Sequence, residues 1–281
     1  MNIQRKPEWL RKKVNPGDQG EMRQLLGELQ LNTVCQQALC PNISECFSSG
    51  QATFLILGKN CTRLCSFCNV EKTKPLPVDN DEPVRVAEAV ARLHLSHVVI
   101  TSPTRDDLQD GGASLYSATV SAIRTSSSAT SIELLIPDFQ GAASSLATVV
   151  AARPDIIAHN VETVPRLYHI RSGADYPRSL ELLRLCALTA TEIKTKSGIM
   201  LGMGEIQEEV LQVLKDLRST GCSYLSIGQY LAPSRQHYQV REYIAPERFE
   251  SLREAALDMG FSHVESGPYV RSSYHAGSYT S

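Results

Sequence analysis

From residue 53 onward, short apolar segments alternate along the chain with segments of helical periodicity. The apolar segments lack regular polar alternation, which predicts strands buried on both faces. They are TFLIL (53–57), HVVIT (97–101), IELLIPD (132–138), DIIAHNVE (155–162), TKSGIML (195–201) and YLSIGQYL (224–231). The helical segments that follow them are residues 82–93, 114–124, 144–152, 179–190, 205–221 and 246–260. The pattern therefore predicts a strand–helix unit repeated about six times.

Repeated strand–helix units form α/β folds around a parallel sheet. Six units are fewer than the eight of a closed barrel, so an open barrel and a doubly wound sheet both fit. In either fold the chemistry lies at the carboxyl ends of the strands. The unusual polar clusters of this chain follow the strands directly, beginning with CTRLCSFC (61–68) and TSPTRDDLQDGG (101–112). The sequence thus predicts a functional site at that edge of the sheet.

Composition narrows the classes of protein that fit. The chain has 281 residues, of which 42% are hydrophobic, and its formal net charge is -2. This charge gives no sign of nucleic-acid binding, and no apolar run approaches the ~20 residues that span a bilayer. The N-terminal MNIQRKPEWLRKKV has no apolar stretch of the signal-peptide type. We expect a cytoplasmic protein, and a monomer, because no interface is evident.

Eight cysteines carry the strongest chemical signal. Two of them, Cys186 and Cys222, lie within helix-like patterns and are interpreted as small buried apolar residues. The other six form an N-terminal trio, C-x₄-C-x₅-C, and a loop trio, C-x₃-C-x₂-C. These are Cys35, Cys40 and Cys46, and Cys61, Cys65 and Cys68. Structural zinc favours four ligands in paired C-x₂-C groups, whereas three thiols leave one iron of a [4Fe–4S] cluster open.

The loop trio resembles the signature of the radical S-adenosylmethionine (radical SAM) enzymes, and its place after the first strand agrees. The resemblance implies that the open iron binds the methionine moiety of SAM, whose cleavage gives a radical that abstracts a substrate hydrogen. It also places Phe67 near the adenine. We accordingly predict a partial (βα)6 TIM-type barrel at residues 51–262, with an N-terminal extension at 1–50 and a C-terminal extension at 263–281.

Further motifs resemble one radical SAM family, the lipoyl synthases, over nearly the whole chain. They include CPNISEC (40–46), VVITSPTRDDLQDGGA (98–113), HNVETVPRLY (159–168), LSIGQYLAPSRQH (225–237) and GPYVRSSYHA (267–276). The resemblance implies a sulfurtransferase that inserts sulfur at C6 and C8 of a protein-bound octanoyl-lysine. Two [4Fe–4S] clusters and SAM are the implied cofactors, and the auxiliary cluster is the implied sulfur donor.

In this family a serine of the RSSY motif completes the auxiliary cluster held by the N-terminal trio. Here that serine is Ser272 or Ser273, and we favour Ser273. Residues 35–46 and 272–273 must then meet, so both extensions should close over one mouth of the barrel. The implied partners are octanoylated lipoyl carrier domains, namely 2-oxoacid dehydrogenase E2 subunits and the glycine cleavage H protein, and an electron donor such as ferredoxin or flavodoxin.

Other polar residues at strand ends are candidate SAM contacts through charge-assisted hydrogen bonds. They are Thr101, Ser102, Asn160, Glu162 and Lys196. Three histidines, His159, His237 and His275, are interpreted as hydrogen-bonding groups rather than metal ligands.

Two other functions remain open from the sequence. The first is a radical SAM enzyme whose auxiliary cluster only relays electrons, which predicts turnover without cluster loss. The second is a non-catalytic zinc or iron–sulfur protein, which predicts no SAM cleavage.

Overall fold

The structure is a computed structural model that describes residues 5–12 and 20–279. The parts of the predicted extensions at residues 1–4, 13–19 and 280–281 lie outside the described residues.

The strands form one eight-stranded sheet whose order in space follows their order along the chain. They are β1 (Asn32–Thr33), β2 (Thr53–Leu55), β3 (His97–Thr101), β4 (Ser131–Leu135), β5 (Ile156–Ala158), β6 (Lys194–Leu201), β7 (Tyr224–Gln229) and β8 (His263–Gly267). β1 pairs antiparallel with β2, and every later pair is parallel. Within the described residues β8 does not pair back to β1, so the barrel stays open. The predicted partial barrel is confirmed.

Nine α-helices lie in the described residues. They are α1 (Gly20–Glu28), α2 (Val34–Gln37), α3 (Ile43–Ser48), α4 (Glu82–Arg92), α5 (Ala113–Ser126), α6 (Ala143–Ala151), α7 (Tyr176–Thr189), α8 (Gln207–Ser219) and α9 (Pro246–Asp258). Of these, α4–α9 follow the parallel strands β2–β7, and α1–α3 precede β2. Local signals fix several of their ends: Asp175 accepts the N–H of Arg178 at 2.8 Å to cap α7, and Pro246 begins α9. The six predicted helices, 82–93 through 246–260, correspond to α4–α9.

The structure adds two strands to the six predicted ones. β1 is only two residues long, and β8, HVESG, lies at the start of the predicted C-terminal extension. Four of its five residues are polar or Gly, so hydropathy alone does not mark it as a strand. Because β8 pairs with β7, it leads the chain from α9 back to the sheet and delivers residues 268–279 to the barrel.

The core lies mainly between sheet and helices, in one cluster around β2–β5 and another around β6–β8. Cys186 and Cys222 are buried in these clusters, as predicted. No helix among the described residues has the length and apolarity needed to cross a bilayer.

Candidate functional site

The loop trio lies at the carboxyl ends of the strands, as predicted. The segment after β2 folds over this edge, where Cys61, Cys65 and Cys68 line a cavity of about 210 Å³. Also in its lining are the predicted residues Phe67, Thr101, Ser102, Asn160 and Glu162. The strand ends therefore bring together residues that are up to a hundred positions apart in sequence.

Buried ion pairs hold the loop trio in place. Arg63, between the first two loop cysteines, contacts Asp106 through Nε at 2.7 Å and Asp138 through a terminal nitrogen at 2.6 Å. Arg178 of α7 also contacts Asp138, at 3.2 Å. Burial alone would raise the pKa of Asp138, but the hydrogen bonds and charge of Arg63 lower it to about 2. The sequence reasoning did not identify this network, which ties the loop to β4 and α7.

The same cavity offers both a carboxylate and a guanidinium. Asn160 donates through Nδ2 to Glu162 Oε1 at 3.1 Å, and Glu162 has a left-handed backbone with φ of 65°. Burial raises the pKa of Glu162, and the nearby charge of Arg171 opposes that shift. Arg171 was not predicted; its buried Nε has no hydrogen-bond partner among the described residues. A carboxylate and a guanidinium together suit a zwitterionic amino-acid moiety.

Lys196 does not belong to this cavity, contrary to the prediction. Its Nζ lies 3.0 Å from Glu133 Oε2, with both side chains fully buried inside the barrel. The ring of Tyr279 lies over the same Nζ, 3.8 Å away. Lys196 is the third residue of β6, whereas the cavity lies beyond the other end of the strands, so it is too deep in the barrel to reach a ligand there.

The N-terminal trio lines a second cavity, of about 220 Å³, toward the amino-terminal starts of β2 and β3. Cys35, Cys40 and Cys46 face it together with Ser273. Thr53, the first residue of β2, donates a hydrogen bond to Ser273 Oγ at 2.7 Å. The two trios thus lie toward opposite ends of the strands rather than at one edge.

The two extensions meet at this second cavity, which confirms the predicted approach of residues 35–46 and 272–273. Asn42 donates through Nδ2 to the carbonyl of Tyr269 at 2.7 Å. The Tyr274 hydroxyl donates to Glu45 at 3.0 Å, and Lys12 forms an ion pair with the same Glu45.

The thiols of each trio are crowded and partly buried, which affects the pKa at which they ionise. Burial, reinforced by the neighbouring thiols, raises the pKa of Cys46 to about 12 and that of Cys68 to about 11. Burial also raises the pKa of Cys35 and Cys65. Crowded thiols of this kind become thiolates when iron neutralises their charge, so each trio fits an iron–sulfur cluster with one open or serine-filled position. Over residues 5–12 and 20–279, no three His, Cys, Asp or Glu side chains are placed to hold a single metal ion.

A larger cavity, of about 410 Å³, lies between the two trios inside the barrel. Cys35 and Cys40 of the N-terminal trio line it, and so does Cys68 of the loop trio. Its wall is largely apolar and includes Phe67, Leu135, Ile199, Met200, Tyr230 and Val270. Ser272 also lines it and donates to Asn160 Oδ1 at 3.1 Å, which links the RSSY motif to the residues beside the loop trio.

The histidines that resemble metal ligands have other partners. His159 contacts the Ile136 carbonyl at 2.9 Å and Ser179 Oγ at 3.0 Å, and burial lowers its pKa to about 4. His237 bonds to Ser234 Oγ at 2.8 Å, and His275 lies 3.9 Å from Glu45.

Comparison with known proteins gives consistent matches. The radical SAM superfamily matches residues 55–217. A lipoyl synthase of Trichlorobacter lovleyi is 68% identical over 280 residues, covering 99% of this chain and all (100%) of the relative. A lipoyl synthase of Caldicellulosiruptor saccharolyticus is 54% identical over 274 residues, covering 97% and 96% of the two chains.

Solved structures share the fold at low sequence identity. Methylornithine synthase aligns with a TM-score of 0.58 at 13% identity, covering 75% of this chain and 69% of that one. Streptococcus suis SuiB bound to S-adenosylmethionine aligns with a TM-score of 0.57 at 10% identity, covering 85% and 51%.

Proposed function

The chain belongs to the radical SAM superfamily and, within it, to the lipoyl synthases, and on this premise we propose that it inserts two sulfur atoms into a protein-bound octanoyl chain. The reaction converts the octanoyl-lysine of a lipoyl carrier domain into its lipoyl form. When bound, SAM and the two [4Fe–4S] clusters supply the hydrogen-abstracting radical and the sulfur.

The observation that carries this proposal is the apolar cavity between the two thiol trios. A saturated acyl chain needs mainly apolar walls, which this cavity provides, although the charged Lys6, Glu162 and Arg271 also belong to its lining. It also has to reach a radical source on one side and a sulfur source on the other. Cys68 and Cys40 reach the same cavity from the two trios, which matches this requirement.

We assign roles to the cavity residues accordingly. Cys61, Cys65 and Cys68 hold the SAM cluster, and Glu162 and Arg171 bind the ammonium and carboxylate of SAM. Asn160 and Thr101 orient these groups, and Phe67 packs against the adenine. Cys35, Cys40, Cys46 and Ser273 hold the auxiliary cluster. Ser273 is favoured over Ser272 because it lines the cavity of the N-terminal trio, whereas Ser272 bonds to Asn160.

We propose a division into an N-terminal extension (1–50), a SAM barrel (51–262) and a C-terminal extension (263–281), with the two extensions forming the auxiliary-cluster site and β8 of the C-terminal one also pairing with the barrel sheet. E2 subunits and the glycine cleavage H protein are the proposed carriers, with ferredoxin or flavodoxin as reductant and the monomer as the working form. All eight cysteines are free, which suits the reducing cytoplasm that we propose as the location.

The test is anaerobic iron and sulfide analysis before and after one turnover with SAM and an octanoyl-lysyl peptide. Two intact clusters give about 8 Fe per chain at the start. We expect about half of the iron to be lost as thiolated peptide appears. Constant iron content with accumulating deoxyadenosine would instead support an auxiliary cluster that only relays electrons.

Two triple variants serve as matched controls. Replacing the loop trio by alanine should abolish SAM cleavage and leave about 4 Fe per chain. Replacing the N-terminal trio should preserve SAM cleavage and abolish thiolation. If the parent protein binds only zinc and cleaves no SAM, the proposed function fails.

A further inference from the structure

His97 is a buried polar side chain in the cavity of the N-terminal trio that no assigned role explains. It begins β3, and its side chain is only 7% exposed. Neither ring nitrogen has a hydrogen-bond partner among the described residues. A buried imidazole without partners is costly, so it calls for a specific explanation.

The protein groups around His97 do not accept a hydrogen bond from its ring among the described residues, so its N–H is available to the cavity. Oε2 of Glu133 lies 3.8 Å from Nε2, which is beyond hydrogen-bond distance. That carboxylate already receives the Lys196 ammonium at 3.0 Å. His97 lines the same cavity of about 220 Å³ as the three cysteines of the N-terminal trio and Ser273.

The C-terminal segment closes the cavity around this histidine. Ala276 and Gly277 line it beside His97, and an added Cβ on Gly277 would lie 3.7 Å from the His97 Cβ. The imidazole is therefore buried at the wall of the cavity that the thiol trio lines.

We propose that His97 is a positioning residue that donates a hydrogen bond to a sulfur of the cluster held by Cys35, Cys40, Cys46 and Ser273. This inference rests on the proposed function, because it requires a cluster at that trio. A hydrogen bond to a cluster sulfur withdraws negative charge from it, which raises the reduction potential and strengthens retention of the cluster. His97 thereby moderates how readily the sacrificial cluster comes apart.

The experiment uses the full chain with the loop trio replaced by alanine, so that the auxiliary cluster is the only one present. His97→Phe keeps an aromatic ring of similar size but removes both nitrogens. His97→Asn and His97→Gln keep an N–H donor but change the shape. The matched control is His263→Asn, because His263 also lies in a strand near Tyr279 but lines none of the three cavities described above.

Two readouts that do not depend on turnover are measured: the midpoint potential of the cluster and the rate of iron loss to a chelator. For His97→Phe we expect a more negative potential and about two- to tenfold faster iron loss, the size expected for one lost hydrogen bond. At least one of the Asn and Gln variants should stay close to the parent, as should His263→Asn.

The alternative is that His97 only fills space, and it predicts the reverse order. Phe would then behave like the parent, and Asn and Gln would both be impaired; this result would overturn the inference. So would identical behaviour of all variants. If the parent assembles no cluster on the N-terminal trio, the proposed function itself fails, and the inference falls with it.

Discussion

Ser272 and Ser273 are neighbours in sequence, but their hydroxyls have different partners. Ser273 accepts from Thr53 beside the N-terminal trio, and Ser272 donates to Asn160 near the loop trio. We expect Ser273→Ala to lower the iron bound at the N-terminal trio and to abolish thiolation. Ser272→Ala should retain that iron and instead weaken SAM binding. Anaerobic iron analysis and SAM titration separate the two, and equal iron loss in both variants would contradict the assignment.

The role of Lys196 could not be predicted correctly from the sequence. A lysine in a strand followed by polar residues predicts a ligand contact. However, the depth of a residue in the barrel depends on how neighbouring strands are aligned, and the sequence does not show this alignment. That alignment places Lys196 against Glu133, sealed from solvent. Arg63 was missed for a related reason, because its partners Asp106 and Asp138 come from distant loops.

The Lys196–Glu133 pair gives a stability prediction. Lys196→Met leaves Glu133 as an unpaired buried charge and should lower the free energy of unfolding by about 3–5 kcal/mol. Adding Glu133→Gln removes the charge and should recover much of the loss. Urea unfolding of the two variants measures this. The SAM affinity of the double variant should equal that of the parent protein. A large decrease in SAM affinity would instead support the original prediction that Lys196 contacts SAM.

The lowered pKa of Asp138 makes the free energy of unfolding depend on pH. Its pKa in the folded protein is about 2, below the ordinary 3.8, so its ionised form favours the folded state. That contribution, about 2 kcal/mol, is fully present above pH ~4 and declines as the pH falls toward 2. In urea unfolding, Asp138→Asn should therefore lose more stability at pH 6 than at pH 3. The exposed Asp258→Asn is the control and should match the parent at both pH values.

At the scale of single elements, β7 is where the C-terminal segment presses most closely on the sheet. A Cβ on Gly228 would lie 2.1 Å from the Val270 carbonyl oxygen, so only glycine allows this approach. Gly228→Ala should push residues 270–273 outward and lower the iron bound at the N-terminal trio, while the loop trio keeps its cluster. In β8, Gly267→Ala is the control, because its Cβ would meet Val270 at an ordinary 3.5 Å. Iron analysis and thermal unfolding measure both.

The elements themselves were largely predictable from the sequence. Strands β2–β7 and helices α4–α9 carry long apolar or periodic segments, and each lies where the pattern predicts. β1 and β8 were not predicted because edge pairing, rather than hydropathy, makes them strands. The cysteine spacing predicted the two trios, but not that they lie toward opposite ends of the strands, since that depends on the path of both extensions.

Across the whole molecule, Lys12 connects the N-terminal extension to the C-terminal one. Its Nζ donates to Asn42 at 2.9 Å, pairs with Glu45 and lies over the rings of Tyr269 and Tyr274. Lys12→Met should loosen this junction and make Cys40 and Cys46 of the cluster-free protein react faster with an alkylating agent. The exposed Arg11→Met is the control, and equal alkylation rates in both variants would exclude a role for Lys12.

The proposed auxiliary site is formed from both extensions. Cys35 precedes the barrel in the sequence and Ser273 follows it, yet both line one cavity. During synthesis on the ribosome, every predicted contact of the loop trio emerges before Ser273 does. On the proposed assignments, the SAM site can therefore form on a nascent chain before the fourth ligand of the auxiliary cluster has been synthesised. We therefore expect cluster delivery to the N-terminal trio to be a late event in biogenesis, and a translation product interrupted just before Ser273 to keep the proposed SAM contacts but lack the proposed fourth ligand of the auxiliary cluster.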